Sequence, residues 1–337
     1  MKQPILIVDA YNFFFFRSYC SFPAMDPRTG EHVGGIAGFI KTLSRIVDEI
    51  QPSRVFVIWE GGGSSRRRSL YSSYKANRKP GKLNRFYEDD LPDTDENKLT
   101  QVKHLVHTLK ILPVCQLYVS DVEADDVIAY LVGRHFRDYD KVILSTDKDM
   151  YQLLDEKTRV YDLNKKAYVT HETVLKAYNI HPRNFALAKT LCGDGSDNIP
   201  GVKGCGFKTV AKRFPFLLQD KDVLLQDVID FASTRVDEAA VYRNTASSAA
   251  DLKTYWRLIY LDGSMIPAQS IERLEVIINS YAPELDKLEL LKRSVKFGIV
   301  NHIDITAVTN SMKFLFFAHE AEEEEADTDE KEEEPNE

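Results

Sequence analysis

Cysteine is scarce in this sequence. Its four cysteines, Cys20, Cys115, Cys192 and Cys205, are scattered over 337 residues with no Cys-x-x-Cys pair among them. That spacing excludes a zinc ribbon and a disulfide framework, and it is what reduced thiols in a cytoplasmic protein show. Long hydrophobic runs are missing too. No stretch approaches the roughly 18 uncharged apolar residues of a membrane span, and the run from Phe13 to Phe16 stops at Arg17. The opening Met1-Lys-Gln-Pro-Ile-Leu-Ile-Val-Asp9 meets a charge too early for a secretory signal. A cytoplasmic protein without a membrane partner is expected. Residues 61–87 lack acidic side chains altogether, while carrying eight cations.

Positive charge looks scarce overall, because the formal net charge is −8. The deficit is local. Residues 318–337 hold twelve acids and one lysine, a charge of −11, which leaves +3 on residues 1–317. An acidic balance of this kind does not exclude nucleic acid as a partner. The length suggests about two folded domains, expected at 1–182 and 183–316, and residues 317–337 read as a disordered acidic tail.

Strand-like and helix-like patterns alternate along the first half. Ile5-Leu-Ile-Val-Asp9 and Val55-Phe-Val-Ile-Trp-Glu60 predict buried parallel strands, each closing on an acid. Further strands are expected at 115–119 and 141–145, with helices over 36–50, 97–112 and from 121 onward. This order predicts an α/β fold with a parallel sheet. Asp9, Glu60 and Asp147 then fall at carboxyl ends of strands, the edge where open α/β sheets bind ligands.

Ser120-Asp-Val-Glu-Ala-Asp-Asp126 has the form of a capping box, with Ser120 as cap and Glu123 three residues on. Glu123, Asp125 and Asp126 fan around the first turn of the helix it predicts. Acids there can simply complement the helix dipole. Asp147 and Asp149 follow a strand nearby, however, and carboxylates at a strand end beside others at a helix start build an all-oxygen site for Mg²⁺ or Mn²⁺.

The acid-free segment supplies the complement. Arg66, Arg67, Arg68, Lys75, Arg78, Lys79, Lys82 and Arg85 alternate with Tyr71, Tyr74, Phe86 and Tyr87. Cations with aromatic stacking partners beside an acid cluster suit a nucleic-acid strand passing towards metal ions. Further on, Gly201-Val-Lys-Gly-Cys-Gly206 has P-loop glycine spacing, but Phe207 stands where the lysine belongs. It reads instead as a glycine hairpin leading into a helix with Lys208, Lys212 and Arg213, a grip on a phosphate backbone. Asp194 and Asp197 lie just before it, placed to join the metal cluster. Residues 217–316 read as mostly helical, without evident chemistry.

Five stretches carry a family resemblance: Val8-Asp9…Arg17, Tyr74-Lys-Ala-Asn-Arg78, Val122-Glu-Ala-Asp-Asp126, Ser145-Thr-Asp-Lys-Asp-Met150 and Gly193-Asp-Gly-Ser-Asp-Asn-Ile-Pro-Gly201 with its hairpin. In this order they resemble the 5′ nuclease family: the 5′-nuclease domain of bacterial DNA polymerase I, stand-alone phage 5′→3′ exonucleases and flap endonucleases. The resemblance implies a PIN-like metal nuclease core with a helical arch at about 61–100, then a helical domain with a helix–three-turn–helix motif that grips DNA. It implies a structure-specific 5′→3′ exonuclease or flap endonuclease acting by two-metal-ion catalysis, in a stand-alone, phage-type chain working as a monomer in a bacterial cytoplasm.

By motif match, Asp9, Glu60, Glu123 and Asp125 surround one ion, and Asp126, Asp147, Asp149, Asp194 and Asp197 serve the second. Mg²⁺ is the expected metal, Mn²⁺ its substitute, and the glycine hairpin a candidate K⁺ site. Lys75 and Arg78 match the basic pair that contacts the scissile phosphate, with Asp9 and Asp147 as the catalytic carboxylates. DNA contacts are expected from Arg17, Arg66, Arg67, Arg68, Tyr74, Lys75, Arg78, Gly201, Lys203, Gly204, Gly206, Lys208 and Lys212. DNA ends, flaps or nicks are the expected partners, with replication proteins on the acidic tail. Three residues depart from the pattern: Glu60 for aspartate, Ala10 for glycine and Cys205 for an aliphatic side chain. The competing readings are a ribonuclease on a similar core and a catalytically silent DNA-binding protein.

Overall fold

The computed structural model describes residues 3–63, 65–77 and 95–316, without the side chains of 15–17. Residues 64 and 78–94 of the expected arch, Arg78 among them, and the acidic segment 318–337 lie outside these residues, as does the side chain of Arg17.

Six strands form one sheet: β1 Ile5–Asp9, β2 Arg54–Trp59, β3 Cys115–Tyr118, β4 Lys141–Leu144, β5 Thr158–Asp162 and β6 Ala167–Val169. Their order is β3-β2-β1-β4-β5-β6. The first five run parallel and β6 turns back antiparallel on β5. Strands β1 and β4 are buried along their whole length, which is why they read as unbroken Val, Ile and Leu runs instead of alternating patterns.

The helices are α1 Gly34–Ile50, α2 Ser65–Leu70, α3 Asp95–Leu109, α4 Ala124–Tyr130, α5 His171–Tyr178, α6 Phe185–Cys192, α7 Phe207–Arg213, α8 Leu225–Ser233, α9 Ala240–Ser247, α10 Ala249–Ile259, α11 Ala268–Asn279 and α12 Lys287–Lys296. A last helix, α13, covers residues 305–316. No helix of the described residues is long and apolar enough to cross a membrane.

Alternate residues of each strand serve opposite faces of the sheet. Leu6, Val8, Val57 and Leu144 pack with Ile40 and Leu43 of α1, Leu105 of α3, Leu290 of α12 and Met312 of α13. Ile5, Ile7, Phe56 and Ile143 pack on the other side with Val127 and Ile128 of α4 and Leu274 and Ile278 of α11. A third cluster belongs to α6–α10, with Leu187, Val210, Val228 and Leu252 at its centre. The expected second domain, 183–316, is therefore divided by its packing. Residues from Ile266 onward return to cover the sheet, because their apolar stripes complete its two faces.

Candidate metal centre

Asp9 ends β1 and is held in place by its neighbours. Its Oδ1 accepts the Asn12 amide at 3.2 Å and its Oδ2 accepts the Ser145 hydroxyl at 3.0 Å. Asn12 in turn accepts both the amide and the hydroxyl of Thr146. The loop after β4 is thereby tied to the loop after β1. Asp147 caps the 3₁₀ turn Lys148–Leu153 by accepting the Asp149 amide at 2.9 Å, so both acids project from one short, braced turn.

Asp125 comes from the first turn of α4 to meet them. Asp125, Asp147 and Asp149 each offer an oxygen within 4.8 Å of the others, and so do Asp149, Asp194 and Asp197. Asp149 belongs to both trios. The second trio depends on a sharp loop in which Asp194 accepts the Ser196 amide at 2.8 Å and hydroxyl at 2.6 Å. Gly193 and Gly201 close that loop. Both have positive φ, and a Cβ on Gly201 would stand 2.3 Å from the Gly193 nitrogen.

Like charges crowd the trios and the acid beside them. Burial pushes the Asp9 carboxyl up to about 7, with Asp147 and Glu60 adding repulsion. Asp125 is raised well above the usual carboxylate range by burial and by the charges of Asp147 and Asp9. Crowded carboxyls of this kind ionise fully only when a cation joins them. The donor set is all carboxylate oxygen, which fits a hard divalent cation and excludes a thiolate-type zinc site. At the second trio Lys189 of α6 supplies part of the countercharge, contacting Asp149 closely and Asp194 at 2.6 Å. Burial would raise Asp194, but the Lys189 ammonium overrides it and brings the carboxyl down to about 2.

The other two acids of the expected fan face elsewhere. Asp126 was expected beside the second ion; instead it takes a two-pronged contact from Arg67, at 2.5 and 2.8 Å. Glu123 is 3.3 Å from Arg67, 2.8 Å from the Lys75 ammonium, and accepts the Tyr74 hydroxyl at 3.0 Å. Burial favours protonation of Glu123, yet Lys75 and Arg67 keep it below its ordinary value. Residues 123, 125 and 126 leave a helix about 100° apart per step. Only Asp125 joins the strand-end acids; the other two meet Arg67, Tyr74 and Lys75 at the start of the expected arch.

Two expected DNA contacts are corrected by the same geometry. Arg67 is 1% exposed and Tyr74 4%, so neither side chain is open to a strand of DNA. Arg67 also donates from Nε to the Leu258 carbonyl at 3.1 Å, and Tyr74 donates to Asp197 at 3.2 Å. They link α2, α4, α10 and the Asp194–Asp197 loop. The capping box expected at Ser120 and Glu123 does not form. α4 starts at Ala124, the Asp121 carboxylate accepts the Ser65 amide, and Glu60 accepts the Ala124 amide at 3.3 Å. Glu123 is unavailable as a cap because its carboxylate is committed to Lys75, Tyr74 and Arg67.

Arg66, Arg68, Lys203, Gly204, Gly206, Lys208 and Lys212 are exposed, and Gly201 is half-buried. Arg66 leans on the Met265 carbonyl at 2.9 Å. Lys189, Asn12 and Thr146 are site residues that sequence reasoning missed. A lone lysine in the apolar run Phe185-Ala-Leu-Ala-Lys189, one turn before an aspartate loop, is the signal that could have flagged the first.

The family model described as "5'-3' exonuclease, N-terminal resolvase-like domain" matches residues 4–179, just over half of the chain. A "5'-3' exonuclease" of Buchnera aphidicola is 28% identical over 288 residues, 84% of this chain and 91% of that protein. The thermostable DNA polymerase I of Thermus thermophilus is 32% identical over 213 residues, 63% of this chain but 24% of the polymerase. The chain thus spans about a quarter of the polymerase's length. Among solved structures, the bacteriophage T5 D15 flap endonuclease in a complex with DNA and metal ions superposes with a TM-score of 0.61 at 19% identity, covering 91% of this chain and 99% of that one. At that identity the likeness is one of fold.

Proposed function

The chain belongs to the 5′-3′ exonuclease family, and from that premise we propose that it is a structure-specific 5′→3′ nuclease. It hydrolyses phosphodiester bonds near the 5′ ends of DNA, at flaps or nicks, as a monomer. The observation that carries this reading is the pair of carboxylate trios sharing Asp149, set at the carboxyl edge of β1 and β4. Asp125, Asp147 and Asp149 would hold one divalent ion and Asp149, Asp194 and Asp197 the other, with Asp9 and Glu60 adjoining. Mg²⁺ is the expected metal, with Mn²⁺ able to replace it, and K⁺ at the glycine hairpin belongs to the same reading. Held by these carboxylates, two such ions would lower the pKa of an attacking water and offset charge on the scissile phosphate.

The chain's own groups do the rest. Asn12 and Ser145 fix the Asp9 carboxylate, and the 3₁₀ turn fixes Asp147 and Asp149. Lys75, already 2.8 Å from Glu123 at the edge of the site, would bring positive charge to where negative charge develops on the phosphate in the transition state. Arg78 follows it three residues on. Lys203 of the glycine hairpin and Lys208 and Lys212 of α7 are exposed and suit the phosphates of a duplex.

A 5′-flap DNA substrate with labels at either end provides the test. The expected result is release of short 5′ products that requires Mg²⁺ or Mn²⁺, lost by orders of magnitude in Asp147→Asn while DNA affinity is kept or raised. Full activity in excess chelator, release from 3′ ends, or a preference for an all-RNA flap would overturn the reading.

A further inference from the structure

A second charged site lies away from the carboxylates. Helices α3 and α12 leave between them an open cleft of about 510 Å³, lined by Lys103, His104, His107, Lys292, Arg293 and Lys296. Among the described residues that line it the one acid is Glu289, engaged by Arg293 at 2.9 Å and Lys292 at 3.8 Å. Among the described residues no carboxylate pairs with Lys103 or Lys296. The floor is flat and aromatic, because the His104 ring stacks on Phe297 with centroids 3.9 Å apart and planes within 10°. None of these residues belongs to the trios at the strand ends.

Such a cleft calls for an anionic, extended occupant, and the chain carries one. Residues 318–337 hold twelve acids against one lysine. They follow α13, whose Val308, Met312 and Leu315 share an apolar cluster with Leu290 of α12, Phe297 just after it and Leu105 of α3. The acidic segment therefore leaves the described structure on the same face of the sheet as the cleft. Twenty extended residues reach about 70 Å, more than the roughly 50 Å breadth of a globule of this size. Tethering also sets the local concentration of the segment near the millimolar range, which a separate polyanion must match to displace it.

We propose that the cleft between α3 and α12 seats the acidic segment 318–337 of the same chain. The Glu-rich stretch lays its carboxylates against Lys103, Lys292, Arg293 and Lys296, and its methylenes over the His104–Phe297 floor. The proposal does not rest on nuclease activity, and its outcome is separable from that reading.

Zero-length carbodiimide crosslinking of the full chain, mapped by mass spectrometry, tests it. Crosslinks from acids of 320–334 should concentrate on Lys103, Lys292 and Lys296, independently of protein concentration. Their yield should fall several-fold between 0.1 and 1 M salt, where the screening length drops from about 10 to about 3 Å. In a second measurement, Lys103→Glu with Lys296→Glu should enlarge the hydrodynamic radius at low salt while leaving circular dichroism unchanged. Crosslinks concentrated on Lys203, Lys208 and Lys212, crosslinks only between molecules, or an unchanged radius would each overturn the proposal. So would duplex DNA shielding Lys103, Lys292 and Lys296 from acetylation equally with and without the acidic segment, which would assign the cleft to a phosphate backbone.

Discussion

Replacing Arg67 by methionine separates a strut from a DNA contact. The guanidinium is 1% exposed and its two closest acids, Asp126 and Glu123, are 1% and 3% exposed. Burial pulls its pKa down, but Asp126 and Glu123 more than offset this and raise it above the ordinary arginine value. Arg67→Met leaves both carboxylates buried with less countercharge and removes the hydrogen bond to Leu258. Breaking a buried pair by removing one partner costs about 3–5 kcal/mol, and the lost backbone contact adds about 1 kcal/mol. With an m-value near 3 kcal/mol/M, the urea midpoint should fall by more than about 1 M. Arg67→Lys should recover only part of this, since a lysine keeps the charge but not the two-pronged geometry. Combining Arg67→Met with Asp126→Asn should cost less than the two single changes added together. Arg66→Met, one residue away and exposed, should stay within about 0.5 kcal/mol of the parent. A stability of Arg67→Met within that same margin, together with weakened DNA binding, would refute the reasoning and return Arg67 to the DNA surface.

Metal removal should make stability depend on pH in a defined direction. The Asp9 carboxyl stands at about 7 in the folded chain against 3.8 ordinarily, so the folded state binds the extra proton. Its contribution is complete at acid pH and is lost as pH rises through 7. In chelator the protein should lose about 2 kcal/mol between pH 5.5 and pH 8, and excess Mg²⁺ should flatten that slope; a flat profile in chelator rejects it. Asp194 acts in the opposite sense, but only near pH 2–4, outside the window. Gly201→Ala should destabilise by more than about 1 kcal/mol, because its φ is +63° and the new Cβ meets the Gly193 nitrogen, whereas Gly206→Ala meets nothing within 4 Å and should be tolerated; equal unfolding midpoints would contradict this. Lys75→Ala should lower single-turnover cleavage about a hundredfold or more with little change in DNA affinity, and a near-normal rate would remove Lys75 from the chemistry.

The strands that carry the site were legible because burial on both faces leaves an unbroken apolar run, and a terminal Asp9 or Glu60 stands out against it. The edge pair β5 and β6 was not, since Thr158-Arg-Val-Tyr-Asp162 mixes charge with apolar residues and β6 has only three residues. The acids themselves were visible in number but not in direction. Nothing in Glu123-Ala-Asp-Asp126 says that one carboxylate of three faces the strand ends, because that depends on where Arg67 and Lys75 arrive from elsewhere in the chain. Three consecutive arginines look alike as letters. Helical geometry turns each by about 100°, and only Arg67 faces inward, a choice made by α10 packing against α2. Ser120 satisfied a local capping rule that tertiary contacts overrode, with Asp121, Glu60 and Glu123 all drawn to other partners.

The return of α11–α13 to the sheet has a bearing on how such an enzyme can be rearranged by recombination. A fragment ending near residue 179 would contain every strand, yet its outer walls would be open: Leu274 and Ile278 would be gone from one side, and Leu290, Met312 and Leu315 from the other. Each missing aliphatic side chain forfeits about 1.5–3 kcal/mol of burial, a large fraction of the stability of any single domain. A gene fusion that joins this nuclease to another activity must therefore bring the distal helices along or provide substitutes for them. The span that the family model matches, 4–179, is smaller than the unit that can be inherited.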